Sequence, residues 1–248
     1  MSAEAAPVLT EARGPVLIIT LNRPEAKNAA NKALAEGVAA ALDRLDGEDQ
    51  FTVGVITGAG GTFCSGMDLK GFLRGETPSV PGRGFGGLTQ APPKKPLIAA
   101  VDGFALAGGM ELALACDLIV ANRNAKFGIP EVKRGLAAAA GGLMRLPRQL
   151  PYRIAMEYAL TGDFFPAERA YALGLINRLT DGPALEGALE LAAAIGANGP
   201  LAVKASKQVV FESRNWGEEE MWGKQQAIVG AVFTSEDARE GAAAFAEK

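Results

Sequence analysis

Histidine is absent from the 248 residues. No Ser-His or Cys-His couple can therefore form, and the commonest metal ligand is missing. Proton transfer falls to carboxylates, lysine, tyrosine or cysteine. Cysteine itself is scarce. Cys64 and Cys116 have no partners at zinc spacing and are too few for a disulfide framework, so both are expected to be buried, reduced and structural. No apolar run reaches the roughly 18 to 20 residues that a membrane span requires. The N-terminus also lacks a basic segment followed by an apolar stretch. These absences read as a cytoplasmic chain with no membrane partner. A basic tract is missing too: Lys94-Lys95 is the densest pair in a chain of net charge −3, which leaves nucleic acid no electrostatic footprint.

What is present suits a packed interior. Hydrophobic residues make up 48% and charged residues 21%, enough for one large core with a small appendage. Residues 15–21 (PVLIITL) read as a buried strand after a short polar lead-in, and 52–57 (TVGVIT), 97–101 (LIAAV), 118–121 and 126–129 read as further strands. From Asn31, apolar positions Leu34, Val38, Ala41, Leu42 and Leu45 recur at helical spacing until Asp46-Gly47. Strand, glycine turn, helix is the recurring unit, which predicts an α/β layered core. Between 72 and 95, prolines and glycines predict a long flexible loop without regular elements, acting as a lid. Pro151 and Pro166 suit the first turns of helices over 152–160 and 167–173, the latter stopped by Gly174. A strand over 175–180 closes the core. Helices over 184–197, 201–211, 218–230 and 236–247 follow. Their apolar residues, among them Leu185, Leu189, Ile195, Val210, Trp222 and Phe233, predict either a cover for the core or a contact with another subunit.

Three segments carry candidate chemistry. In 56–69 (ITGAGGTFCSGMDL) a strand ends in glycines before Ser65-Gly66-Met67-Asp68, where small residues let backbone amides approach a ligand; a purely structural turn would look the same. In 102–117 (DGFALAGGMELALACD) Gly108-Gly109 opens a helix whose free amides and dipole favour negative charge. Glu111 lies in that first turn, followed by an unbroken apolar run. A buried carboxylate is costly unless it is paired or working, although a Glu here also complements a helix N-terminus. In 127–135 (FGIPEVKRG) Glu131 follows Pro130 in a turn that could equally lie on the surface. Two glycine-delimited amide sites with two carboxylates suit an oxyanion hole served by an acid-base pair.

These segments, with 22–29 (NRPEAKNA) and 171–177 (YALGLIN), resemble the crotonase, or enoyl-CoA hydratase and isomerase, superfamily over nearly the whole chain. The resemblance implies a spiral of ββα units over residues 1–183. It also implies a helical C-terminal region over 184–248 that builds homotrimers or dimers of trimers. Oxyanion-hole amides at Met67 and Gly108 are implied, with catalytic carboxylates at Glu111 and Glu131. Contacts to an acyl-CoA substrate are implied at Ala26, Lys27, Ser65, Met67, Asp68, Leu69, Lys70 and Gly108. Coenzyme A enters as part of the substrate, and neither a metal nor any other cofactor is expected. The implied reaction is reversible hydration of a 2-enoyl-CoA to a 3-hydroxyacyl-CoA. Double-bond isomerisation or a carnitinyl-CoA-type dehydration within the superfamily are alternatives. Outside catalysis stand an acyl-CoA-binding protein, which the glutamate pair argues against, and an RNA-binding homologue, which the acidic balance argues against. Two departures leave the acyl group open among fatty, branched, steroid-derived and carnitine-like types. Residues 136–142 read LAAAAGG where many members carry a proline-glycine pair, and Met67 replaces a common alanine. Many members also extend further, which leaves open whether a tail contributing to the coenzyme A site follows Lys248.

Overall fold

The computed structural model describes residues 6–246, apart from the Ala244 side chain. Residues 1–5, Glu247 and Lys248, which the expected two-part division and the expected last helix include, lie outside the described residues. Strands β1 (Val8–Arg13) and β2 (Val16–Leu21) lead into α1 (Lys32–Gly47) and β3 (Val53–Gly58). Then come α2 (Leu69–Leu73), β4 (Ser79–Val80), β5 (Gly84–Phe85), β6 (Leu97–Val101), β7 (Phe104–Leu106), α3 (Gly108–Ala115), β8 (Leu118–Asn122) and β9 (Lys126–Gly128). The elements α4 (Gly142–Gln149), α5 (Tyr152–Thr161), β10 (Phe165–Pro166), α6 (Ala167–Ala172) and β11 (Arg178–Thr180) follow. The described chain ends in α7 (Ala184–Gly196), α8 (Pro200–Glu212), α9 (Met221–Phe233) and α10 (Glu236–Ala246). None of these helices is long and apolar enough to cross a membrane.

The main sheet runs β1-β2-β3-β6-β8-β11, with β1 antiparallel to β2 and the remaining pairs parallel. Its central strands are continuously apolar because both faces are covered. Alternation divides their side chains: Leu17, Ile19, Ile56, Leu97 and Ala99 join the core containing α1 and α3, whereas Val16, Ile18, Val55 and Ile98 meet α7. That helix presents Ala184, Ala188 and Ala192 four residues apart, and such small side chains let its backbone lie close to the sheet. Pro183 at its N-cap offers no side-chain acceptor, so the Asp102 carboxylate accepts the Ala184 N–H instead. A second, three-stranded sheet, β10-β9-β7, stands beside the first and carries the chain into α3.

Several expectations are corrected. The polar lead-in contains β1, whose side chains are mostly exposed and so carry no alternating apolar signal. Pro151 and Pro166 are N-cap residues with non-helical backbones and not first-turn residues. Leu185, Leu189 and Ile195 pack against the sheet and are not part of an apolar surface left for a partner. Residues 72–95 are not devoid of regular elements. Helix α2 runs to Leu73, and β4 and β5 form a hairpin whose turn carries Gly82 at φ 75°. The segment is tied down: Arg83 pairs with Asp43 on α1, Asp46 accepts the Lys94 and Lys95 amides, and Leu88 and Thr89 are buried.

Candidate active site

The loop of residues 22–30 is held by side chains reaching backbone. Asn28, fully buried at φ 54°, gives its amide to the Ala59 and Thr62 carbonyls and accepts the Arg23 N–H. Arg23 in turn binds the Ala29 carbonyl at 2.6 Å and Asp68 Oδ2 at 3.0 Å. Asp68 also caps α2 by accepting the Lys70 and Gly71 amides. Burial acts to raise its pKa, but the Gly71 amide and Arg23 outweigh this and hold the carboxyl below its ordinary range. Asp68 is thus kept ionised as a structural knot.

This frame aims the Met67 amide. Ala30 donates to the Gly66 carbonyl at 2.7 Å and accepts the Asp68 N–H at 2.9 Å, so Met67 between them turns its own N–H away from Ala30. The Gly108 amide is exposed by a different device. Ala107 adopts φ 51° and ψ −127°, a conformation that L-residues rarely hold, while its own N–H is tied to the Gly128 carbonyl at 2.9 Å. The chain therefore enters α3 abruptly, and neither the Met67 nor the Gly108 N–H has a partner among the described residues. The two amides are neighbours: a Cβ added to Gly66 would lie 3.4 Å from the Gly108 nitrogen. The N-terminal end of α3 adds partial positive charge there.

Glu111, one turn into α3, is only 3% exposed. Its Oε1 accepts the Gly142 N–H at 2.8 Å. Burial pushes its carboxyl up to about 7, the Glu131 charge adds to this, and the Gly142 amide and Arg145 pull the other way. Glu131 sits in a short 3-10 turn after Pro130 and is half-buried, not on the open surface. Burial raises its carboxyl too, against the pull of its own backbone amide and Arg134, and its Oε2 is buried without a hydrogen-bond partner. Two carboxyls whose pKa values burial raises, facing one cavity with two free amides, can give and take protons while an oxyanion is held.

That cavity has a volume of about 880 Å³. Glu111, Glu131, Met67 and Gly108 line it together with Ala26, Ser65, Asp68, Leu69 and Lys70. Lys27 does not: it is exposed, and its Nζ lies 5.8 Å from the centre of the Phe104 ring. Sequence reasoning missed Phe85 and Phe164, which line the cavity with Ala137, Ala139 and Ala140 of the LAAAAGG stretch. Phe85 lies against Gly108, where an added Cβ would meet its ring at 2.3 Å. The Pro81-Gly82 pair within SVPGRGF was the signal for the hairpin that carries Phe85. No local pattern points to Phe164.

The profile of the enoyl-CoA hydratase/isomerase family matches residues 11–248. Enoyl-CoA hydratase EchA19 of Mycobacterium tuberculosis is 43% identical over 97% of this chain and 93% of its own length. A carnitinyl-CoA dehydratase of Salmonella typhi is 41% identical over 95% of this chain and 93% of its own. The crystal structure of an enoyl-CoA hydratase from Mycobacterium tuberculosis H37Rv superposes with a TM-score of 0.96 at 60% identity, covering 98% of this chain and 96% of that one. A mixed α/β core with this order of elements, a cavity formed where the expected motifs meet, and matches spanning nearly the whole chain lead to one assignment: the chain belongs to the enoyl-CoA hydratase/isomerase family and has the crotonase fold.

Proposed function

We propose that the protein is a hydro-lyase that adds water reversibly across the double bond of a 2-enoyl-CoA, giving a 3-hydroxyacyl-CoA without metal or redox cofactor. The observation that carries this reading is the convergence of two unpartnered amides, Met67 and Gly108, with the buried pair Glu111 and Glu131 in one cavity. The amides stabilise the thioester enolate oxygen, a contribution on the order of 3 to 4 kcal/mol per donor in other oxyanion holes. In the hydration direction Glu111 takes a proton from the water attacking the β carbon, and Glu131 gives one to the α carbon. A carboxyl at about 7 matches a base that must release its proton again in the reverse direction. Ala26, Ser65, Leu69 and Lys70 at the cavity rim contact the coenzyme A portion. The 41% identical carnitinyl-CoA dehydratase favours a second reading, dehydration of a polar acyl thioester, which needs the same amides and carboxylates run backwards.

Residues 1–183 form the catalytic part and 184–248 the helical C-terminal region, of which α7 covers the sheet and the helices after it supply the surface for self-association into a homotrimer or a dimer of trimers, working in the cytoplasm. Val210, Trp222 and Phe233 are 62%, 69% and 76% exposed, an apolar surface that supports a second copy as partner.

The test is a pair of variants. Glu111→Gln and Glu131→Gln should each lower hydratase turnover at least ~100-fold with binding preserved. Exchange of an α proton on a saturated acyl-CoA needs no attacking water, so Glu111→Gln should keep more of it than Glu131→Gln. The reverse order would exchange the two roles, and full hydratase activity in both variants would refute the mechanism.

A further inference from the structure

Arg145, on α4, carries no role in the proposed proton transfers, yet it is half-buried and its hydrogen bonds go to backbone rather than to a carboxylate. Nη2 donates to the Thr89 carbonyl at 2.6 Å, and Nη1 makes a longer contact of 3.4 Å to the Ala140 carbonyl. The guanidinium thereby joins the end of the β4-β5 hairpin segment to the alanine-rich wall of the cavity. It also presses on the turn between them. Gly141 stands at φ 109°, and a Cβ there would fall 2.1 Å from Nη1. The next residue, Gly142, presents its N–H to Glu111 and packs so closely that a Cβ would lie 3.1 Å from Oε1. Arg145, Gly141, Gly142 and Glu111 form a continuous chain of contacts. Of the charged and titratable groups around the guanidinium, Glu111 and Cys116 face it from α3, Arg148 from α4 and Arg214 from the turn after α8.

We propose that Arg145 is a positioning residue for the hydration: by clamping the Thr89 and Ala140 carbonyls it fixes the Gly141-Gly142 turn so that the Gly142 amide holds Glu111 towards the attacking water. The proposal rests on the reading of Glu111 as the residue that activates water. Arginine suits the task because its planar fork reaches two acceptors at once, which a lysine ammonium does not do with the same geometry. Its charge acts in the same sense as the amide, since both favour ionised Glu111.

Arg145→Lys and Arg145→Met separate the clamp from the charge. Both should lose turnover on the order of 10- to 100-fold, the size expected when a reacting group is misplaced by about an ångström. KM should change little. The acid limb of the kcat profile, set by Glu111 near pH 7, should move to higher pH in Arg145→Met and by less in Arg145→Lys. Turnover and pH profile equal to the parent in both variants would overturn the proposal. So would a loss in Arg145→Met with an unmoved acid limb, the mark of a merely structural role. The Glu111 carboxyl can also be titrated by infrared difference spectroscopy against Glu111→Gln, which needs no turnover. If the parent protein hydrates no enoyl-CoA, the proposed activity fails on its own. The titration then decides the clamp: Glu111 ionising at higher pH in Arg145→Lys, which keeps the charge and loses the fork, supports it, and an unchanged titration in that variant overturns it.

Discussion

Replacing Glu111 by glutamine should stabilise the folded protein above neutral pH even as it stops turnover. Burial moves the Glu111 carboxyl from its ordinary 4.5 up to about 7. Between those values the folded state holds a proton that the unfolded chain has released, so stability falls as pH rises through the window. Above about pH 7 the full cost is present. At 1.36 kcal/mol for each pH unit between the two ionisations, that cost is about 3 kcal/mol. At pH 5 it is under about 1 kcal/mol, because the unfolded carboxyl is itself only partly ionised. Glutamine has nearly the same volume, stays neutral at every pH, and its carbonyl can still accept the Gly142 N–H. Urea unfolding at pH 5 and pH 8, at equal protein concentration because association contributes to stability, should show the variant close to the parent at pH 5. At pH 8 the variant should be more stable by about 2 to 3 kcal/mol. A stability difference that is the same at both pH values would show that Glu111 ionises in the ordinary range, and the argument from burial would be refuted.

Phe85→Ala should shift preference towards longer or bulkier acyl groups, because its ring fills the space against Gly108. A panel of enoyl-CoA thioesters should show the kcat/KM ratio of bulky to short substrates rising ~10-fold or more, and an unchanged ratio would place the acyl end elsewhere. Gly109→Ala should destabilise by more than about 2 kcal/mol, since its Cβ would lie 2.1 Å from the Cys64 carbonyl oxygen in the packed backbone. Gly47→Ala, with nothing within 4 Å, is the matched control and should be neutral or better in thermal unfolding. Light scattering at micromolar concentration should give a trimer or hexamer mass, and a monomer mass would rule out the self-association proposed for residues 184–248.

Much of the fold was legible because it is written in short-range pattern. The spacing of Leu34, Val38, Leu42 and Leu45 determines the buried face of α1, and Asn31 caps it with its own side chain at the Leu34 N–H. The apolar run Leu97–Val101 is a strand to the residue. Local pattern likewise singled out Glu111, Glu131 and the glycine-delimited stretches Ser65–Asp68 and Gly108-Gly109, and the resemblance to the crotonase superfamily assigned the two amides to Met67 and Gly108. β1 escaped notice because its side chains face solvent and its stability comes from pairing with β2. Lys27, where the resemblance implies a contact to the acyl-CoA, has a left-handed backbone at φ 50° and stands outside the cavity lining beside Phe104, a position that its motif does not reveal.

What the tertiary structure decided are relations between segments far apart in the chain. The apolar run around Glu111 showed that its carboxylate would be costly to bury; only packing supplies the Gly142 amide 31 residues on and the burial that, against the pull of that amide, lifts the carboxyl to about 7. The Met67 amide is free because Ala30 takes the groups on either side of it, and the Gly108 amide because Gly128 holds the strained Ala107 in place. The hairpin places Phe85 against Gly108, and the contacts of Arg83 with Asp43 and of Arg145 with the Thr89 carbonyl, each between distant segments, tie that part of the chain down. The sequence by itself determined which groups are available for chemistry, since residue type and local periodicity depend on neighbours along the chain. Their pKa values, their free hydrogen-bonding directions and the wall that faces them depend on desolvation and contact, which exist only after distant segments have packed.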